Sequence, residues 1–263
     1  MKRNYIALVV ILLSIFSASC DKNAVQEIDS PLTGGAQIKF FNFGVSSPSV
    51  NFYANDVKMS ATTITTGVES PTGLVYGSVF PSTTYSLIKE GSYTFKGQIS
   101  ATALVDPNLV VATLTAPVEN GKYYSLYTSG IYNTTAKTTD AFIVEDKLPA
   151  ADHTAPFVRF VNGISNAPSP MDLVVKNTTT GTEIVVATGV AYKSASEFAK
   201  IPFGVYEIFA RYPGSSTNTI TRNGTSVISF VPGRVYTISS RGDITVTSAT
   251  LATRPFLDNT ANR

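Results

Sequence analysis

His153 is the only histidine in the chain and Cys20 the only cysteine, so the imidazole base, the thiol nucleophile and the usual zinc ligands are nearly missing. A Ser-His-Asp system needs its histidine within hydrogen-bond reach of an activated serine. No Gly-x-Ser-x-Gly elbow supplies that serine, and His153 sits in a Pro-, Ala- and Asp-containing stretch, Asp146 to Pro156, that reads as a solvated linker. One histidine and one cysteine do not make a zinc site, and neither a phosphate-cradling Gly-Lys-Ser/Thr motif nor an Asp-x-Asp-x-Asp calcium loop occurs. Asp140, Glu145, Asp146 and Asp152 gather in one part of the sequence. They are expected to be a solvated acidic linker, with an interdomain calcium site as the alternative. Glycoside hydrolysis asks only for two carboxylates about 5–10 Å apart. The 18 acidic residues are spread evenly, however, and no catalytic residue, metal or cofactor is expected. Aromatic residues are the remaining chemistry: Tyr123, Tyr124 and Tyr127 crowd one segment, with Tyr132 beyond, and tyrosine suits interfaces because it joins a stackable ring to a hydroxyl. These are the candidate binding aromatics, although alternation along a strand sends at least one face of the cluster into a core.

What could position such groups begins at the N-terminus. Lys2 and Arg3 precede an apolar run from Tyr5 to Phe16 and then Ser17-Ala18-Ser19-Cys20, the layout of a secretory signal. The run is too short for a bilayer, which takes about 20 residues. Small residues ending in a cysteine resemble the lipobox of bacterial lipoproteins, with Ser17 in place of the leucine usual in that family. The resemblance implies that residues 1–19 are removed and that Cys20 carries acyl chains such as palmitate. One acyl chain binds a membrane only marginally and two or three bind it lastingly. Residues 20–35 then read as a lipidated cysteine and flexible tether, polar and broken by Pro31 and Gly34-Gly35. The expected address is the cell envelope, with the outer membrane preferred and the leaflet left open.

The chain has 20 basic and 18 acidic side chains, and removing Lys2 and Arg3 leaves 18 of each. A neutral chain with no Lys/Arg run argues against nucleic acid as a partner. Tyr, Phe, Val, Ile and Thr are abundant and Gly and Pro recur as punctuation, which is a strand-rich composition.

The chain repeats itself. Ile38-Lys39-Phe40-Phe41-Asn42 corresponds to Val158-Arg159-Phe160-Val161-Asn162, and Pro48-Ser49 to Pro168-Ser169. Tyr85-x-x-Ile88-x-x-Gly91-x-Tyr93 corresponds to Phe198-x-x-Ile201-x-x-Gly204-x-Tyr206. Gly121 to Leu126 corresponds to Gly233 to Ile238. Two related domains are therefore expected, 36–148 and 155–258, joined by a 149–154 linker and followed by a 259–263 tail, each large enough for a sandwich core. Ile38 and Phe40, like Val158 and Phe160, alternate with Lys39 and Arg159, which predicts strands with one wet face. Asp106-Pro107-Asn108 predicts the turn of a long hairpin. The Thr-rich stretches Thr62 to Thr66 and Thr178 to Thr180 are expected to be loops or strand edges. Asn51 stands where the second copy has Asp172, so no carboxylate pair recurs with the repeat.

The [VI]-[RK]-F-[VF]-N block, the following Ala/Ser-Pro, Gly189-Val190-Ala191-Tyr192 and the Gly-x-Tyr strand resemble the domain of unknown function numbered 4397. The likeness covers both copies and is closer in the second; the first has Gly73-Leu74-Val75-Tyr76-Gly77 and about three extra residues before Tyr85. That family is common in exported bacterial proteins, including lipoproteins of Bacteroidetes. It implies an all-β protein of two tandem immunoglobulin-like sandwiches and brings no catalytic residues. The expected function is a non-enzymatic envelope lipoprotein, a tethered module for protein–protein association or adhesion. The alternatives are a surface glycan-binding lipoprotein aiding polysaccharide uptake and an envelope hydrolase.

Overall fold

The computed structural model describes residues 34–60 and 70–263. The signal segment, Cys20 and Thr62 to Thr66 lie outside the described residues. Residues 35–263 form one compact unit, and it is all-β; among the described residues its one helical element is a 3-10 turn at Gly224–Ser226.

Among the described residues the first half has nine strands: β1 (Ala36–Asn42), β2 (Asn51–Ala54), β3 (Val57–Lys58), β4 (Ser78–Phe80), β5 (Ser86–Ile88), β6 (Gly91–Gln98), β7 (Val110–Val118), β8 (Tyr123–Asn133) and β9 (Thr138–Glu145). One sheet runs β4-β1-β8-β9 with β5 also on β1, and the other runs β3-β2-β6-β7. The second half has β10 (Phe157–Asn162), β11 (Met171–Asn177), β12 (Glu183–Val190), β13 (Ser194–Ala195), β14 (Ala199–Lys200), β15 (Gly204–Arg211), β16 (Ile220–Arg222), β17 (Ile228–Phe230), β18 (Val235–Arg241) and β19 (Phe256–Ala261). Its sheets are β13-β10-β18-β19, with β14 on β10, and β12-β11-β15-β16, with β17 on β15. The pairing scheme is thus repeated, down to the parallel pairs β1–β8 and β10–β18. β6 and β7 make the long hairpin that Asp106-Pro107-Asn108 predicts.

Each half encloses its own apolar core. Ile38, Phe40, Tyr124 and Leu126 of one sheet meet Phe52, Phe95 and Val111 of the other. Val158, Phe160, Tyr236 and Ile238 likewise meet Leu173, Tyr206, Ile208 and Phe230. Burying such side chains contributes about 1.5–3 kcal/mol apiece. The repeated tyrosines close the same loops in both halves. Tyr93 and Tyr206 donate their hydroxyls to the carbonyls of Lys89 and Pro202, four residues back. The Tyr124 and Tyr236 hydroxyls accept the N–H groups of Glu119 and Val231. The motif asparagine also has one duty twice: Asn42 donates to the carbonyl of Leu74 and Asn162 to that of Val190. Each amide oxygen takes a hydroxyl from β8 or β18, Thr128 or Ser240.

Two expectations are corrected. The face of β1 and β10 that carries Lys39 and Arg159 is not wet, since both residues are fully buried. Nor are residues 259–263 a tail: β19 runs to Ala261, Asn262 is buried, and the carbonyl of Arg263 accepts the N–H of Val235. The β1-containing sheet of the first half packs against the β10-containing sheet of the second, so β1 and β10 are buried on both faces. The last residues are held because β19 pairs with β18 along its whole length.

Candidate functional site

The junction between the halves is the most chemically elaborate place in the molecule. Strand alternation sends Lys39 and Phe41 of β1, Ser125, Tyr127 and Ser129 of β8, Arg159 and Val161 of β10, and Thr237 and Ser239 of β18 into it. Its apolar part stacks Tyr127 between Phe41 and Phe142, with ring centroids 4.3 and 4.8 Å apart, and adds Phe43 and Val161. Backbones approach closely beside it. A Cβ at Gly163 would stand 2.6 Å from the carbonyl oxygen of Ser240, and Ser129 Oγ donates to the Gly163 carbonyl at 2.7 Å.

The contacts are reciprocal, as in an isologous interface. Lys39 Nζ donates to the Ala261 carbonyl at 2.7 Å and lies 4.8 Å from the Tyr85 ring centre. Arg159 Nη1 donates to the Glu145 carbonyl at 3.1 Å, and its guanidinium lies 4.6 Å from the Phe198 ring. Tyr127 Oη and its repeat counterpart Ser239 Oγ meet at 3.2 Å. At the rim the Tyr192 hydroxyl donates to Asp140, while its counterpart Tyr76 lies under Arg241, 4.7 Å from ring centre to guanidinium.

The centre is a buried ion pair between Arg159 and Asp146, whose side chains are 2% and 0% exposed. Asp146 Oδ2 accepts from Tyr85 (2.7 Å), Ser125 (2.8 Å) and Asn262 (3.3 Å), and Arg159 Nε donates to Thr237 Oγ1 at 2.9 Å. A buried charge pair holds only when its remaining polar atoms are satisfied, and this one is supplied from both halves. Burial lowers the Lys39 ammonium to about 8, against an opposing pull from Asp146. Burial also pushes the Tyr85 phenol well above its ordinary value, and the neighbouring Asp146 carboxylate adds to the shift. The phenol and the ion pair tie the two halves together: Asp146 is fully buried, Tyr85 is half-buried, and Arg159 also borders a cavity of about 270 Å3 with Lys147, Glu197 and Phe198.

The residues singled out by sequence fall as follows. Tyr124 packs in the first core and Tyr127 in the junction, both buried. Tyr123 is half-buried, its ring 5.1 Å from that of Tyr85 in an edge-on contact. Tyr124 and Tyr127 are therefore corrected from binding aromatics to packing residues, because β8 lies inside its sheet and both of its faces are covered there, while Tyr123 at its first position keeps part of its surface. Asp146 is corrected from a solvated linker residue to the buried anion of the junction. Asp140 and Glu145 are spent on surface pairs with Lys193 and Lys122, and Asp152 on one with Lys200. Among the described residues no group of three or more His, Cys, Asp or Glu is placed to hold a metal ion. His153 is exposed. Asp172 accepts the N–H of Gly189 at 2.6 Å, a contact between strands β11 and β12 where their register shifts, and Thr178 to Thr180 are an exposed turn. Sequence reasoning missed Lys39, Arg159 and Asn262. The available signal was Phe40-Phe41-Asn42-Phe43, a run apolar on both strand faces.

An accessible apolar feature lies elsewhere. At the Gln98 end of β6 an apolar pocket of about 350 Å3 is lined by Pro48, Pro71, Ile99, Ala103, Leu104 and Val105. Leu104 is fully exposed and Val105 73% exposed, while Asp106 at its margin pairs with Lys137 at 2.7 Å.

Comparison with known proteins bears on this arrangement. The model of a domain of unknown function, DUF4397, matches residues 36–170, which is 135 of the 263 positions. The chain belongs to the DUF4397 family. The DUF4397 match spans the first half and continues through β10 to Pro168-Ser169, so it includes both copies of the [VI]-[RK]-F-[VF]-N block. It stops short of most of the second half, where the closer likeness was expected. No curated protein sequence matches the chain. Among solved structures the Bacillus anthracis TIE protein is similar at 12% identity over 78% of this chain and 33% of that one, with a TM-score of 0.24. The chain thus spans about a third of that structure's length, and a likeness this loose carries no argument. Among the described residues no helix is long and apolar enough to cross a membrane.

Proposed function

We propose that this DUF4397 protein is a non-enzymatic envelope lipoprotein: two tandem immunoglobulin-like sandwiches, held at a membrane by acyl chains on Cys20, that associate with another envelope protein. The observation that carries the association is the apolar pocket, with Leu104 and Val105 standing open at its mouth. Side chains this exposed are characteristic of recognition surfaces, where an apolar anchor enters a partner's pocket. The doubled sheet pairing and the tyrosine hydroxyls that close equivalent loops support the immunoglobulin-like assignment. The buried junction, with side chains of both halves interlocked, supports a rigid presenting body. Glycan capture loses its footing because Tyr127 is buried and Tyr123 is packed on Tyr85.

Two measurements test the proposal. Radiolabelled palmitate is expected to mark the wild-type chain and not Cys20→Ala; labelling of the variant overturns the anchor. A photo-crosslinking residue at position 104 is expected to trap one discrete protein adduct in intact cells. The same residue at position 185, exposed on the second half, is expected to trap none. Equal yields at both positions overturn the assignment of the pocket.

A further inference from the structure

The two ends of the module differ in what they expose. β1 begins at Ala36, and Gly35 accepts the N–H of Gly121 in the β7–β8 turn. Gln37 bonds to Lys122, Asp146 to Tyr123, and Arg159 to Asp146. These links place the start of β10 beside the start of β1. The same end carries the β14–β15 turn, since Lys200 pairs with Phe157, and the β17–β18 turn, since Phe157 bonds to Arg234. Gly91, where β6 begins, pairs with Val118 just before the β7–β8 turn, so Gln98 and the Leu104 pocket lie at the opposite end.

On the outer face near the Gly35 end, the pairing of Gly204 with Phe230 sets Phe203 beside Val231. Phe203 is 64% exposed, Val231 43% and Val205 39%, and the exposed Pro202 and Pro232 complete the patch. Phe203 is the one exposed phenylalanine among the described residues. The exposed Arg234 stands two residues beyond Pro232. Aromatic and aliphatic groups with a flanking basic side chain suit the boundary between headgroups and acyl chains.

We propose that the Phe203–Val205–Val231 patch docks on the surface of the lipid bilayer to which Cys20 is attached. The inference rests on the lipoprotein reading above. The occupant follows from where the chain enters the folded unit. The 14 residues from Asp21 to Gly34 reach at most about 50 Å at roughly 3.5 Å per residue, and they join the unit at the end that carries the patch. Tethering keeps the patch at high effective concentration over the lipid, so a contact too weak to recruit a free protein is still made by an anchored one. Docking there turns the Leu104 pocket away from the bilayer.

The chain contains no tryptophan, which makes the test direct. The full lipidated chain carrying Phe203→Trp is reconstituted on vesicles of phosphatidylethanolamine and phosphatidylglycerol whose acyl chains are brominated, with Leu104→Trp as the far-end control. The expected result is blue-shifted emission from Phe203→Trp that loses most of its intensity to bromine, and water-like, unquenched emission from Leu104→Trp. Adding Val231→Asp to Phe203→Trp is expected to restore the emission while the protein still floats with the vesicles. Flotation with equal, water-like emission from both single variants overturns the docking and leaves the anchor standing. Failure of the lipid-bearing chain to float overturns the anchor and the docking together.

Discussion

The two sides of the junction use the same positions for different chemistry. Lys39 and Arg159 occupy one place in the repeat, Tyr85 and Phe198 a second, Ser125 and Thr237 a third, and Asp146 and Asn262 a fourth. Only one side forms an ion pair. On the other, Lys39 is satisfied by the carbonyl of Ala261 and the Tyr85 ring, and Asn262 takes the carboxylate's place. The geometry accounts for this asymmetry. Asn262 Nδ2 lies 3.3 Å from Asp146 Oδ2, so an aspartate there would bring two carboxylates together without solvent, and like charges at that range do not both ionise. A near-twofold arrangement therefore excludes twofold chemistry at its centre, and one amide relieves it while keeping the hydrogen bonds.

The comparison can be broken most severely by removing the anion. Asp146→Ala is expected to destabilise the chain by about 3–5 kcal/mol, because it leaves the Arg159 charge buried and unpaired; equilibrium denaturation in urea measures it. Arg159→Met, with Asp146→Asn added, removes both charges and is expected to recover most of that loss. Gly163→Ala is expected to cost about 1–3 kcal/mol, since its Cβ meets the Ser240 carbonyl on the neighbouring strand β18 and the backbone there must shift to admit it. Tyr85→Phe copies the residue found opposite and deletes one of three donors to Asp146 Oδ2, an expected cost of about 1 kcal/mol.

The subtlest test is pH. The folded state holds Lys39 near 8 while the unfolded chain keeps the ordinary 10.5. Below pH 8 both states are protonated and the folded chain bears the full burial cost. Above it the folded state alone releases the proton, so stability rises with pH. Tyr85 and Tyr127, raised above their ordinary 10.0 by burial, have the opposite effect. Past pH 10 the unfolded chain ionises first and stability falls. A maximum near pH 10 is expected in wild type, and Lys39→Met is expected to remove the rise and keep the fall.

Much of the fold is legible because it rests on local pattern. Alternation along β1 and β10 marks Ile38, Phe40, Val158 and Phe160 as core. The ordered repeat gives the doubled sheet pairing, and Asp106-Pro107-Asn108 marks its hairpin. The junction is less legible, because the charged residue that opens the second face of each strand reads the same whether it meets water or another sheet, and only Phe41 and Phe43 further along hint at a partner. Lys39 and Arg159 look solvated until a partner for their face is known. Asp146 gave no sign of its role beside acids that do lie at the surface, and what sets it apart is 13 residues away, at Arg159. The tyrosines of β8 misled for a related reason: their amphipathic rings suit a binding surface and an internal seam equally well.

The parallel pairing of β1 with β8 bears on how the protein would carry mechanical load. A pull exerted through the N-terminal segment and resisted at the Leu104 end runs along β1, while the bonds joining it to β8 lie across that line from Gln37 to Asn42. They are strained together as a block and do not peel apart one by one. The strand at the start of the folded unit is thus set in a shear geometry, with the junction packed behind it, so a pull applied through the chain before it meets a block of bonds that must fail together.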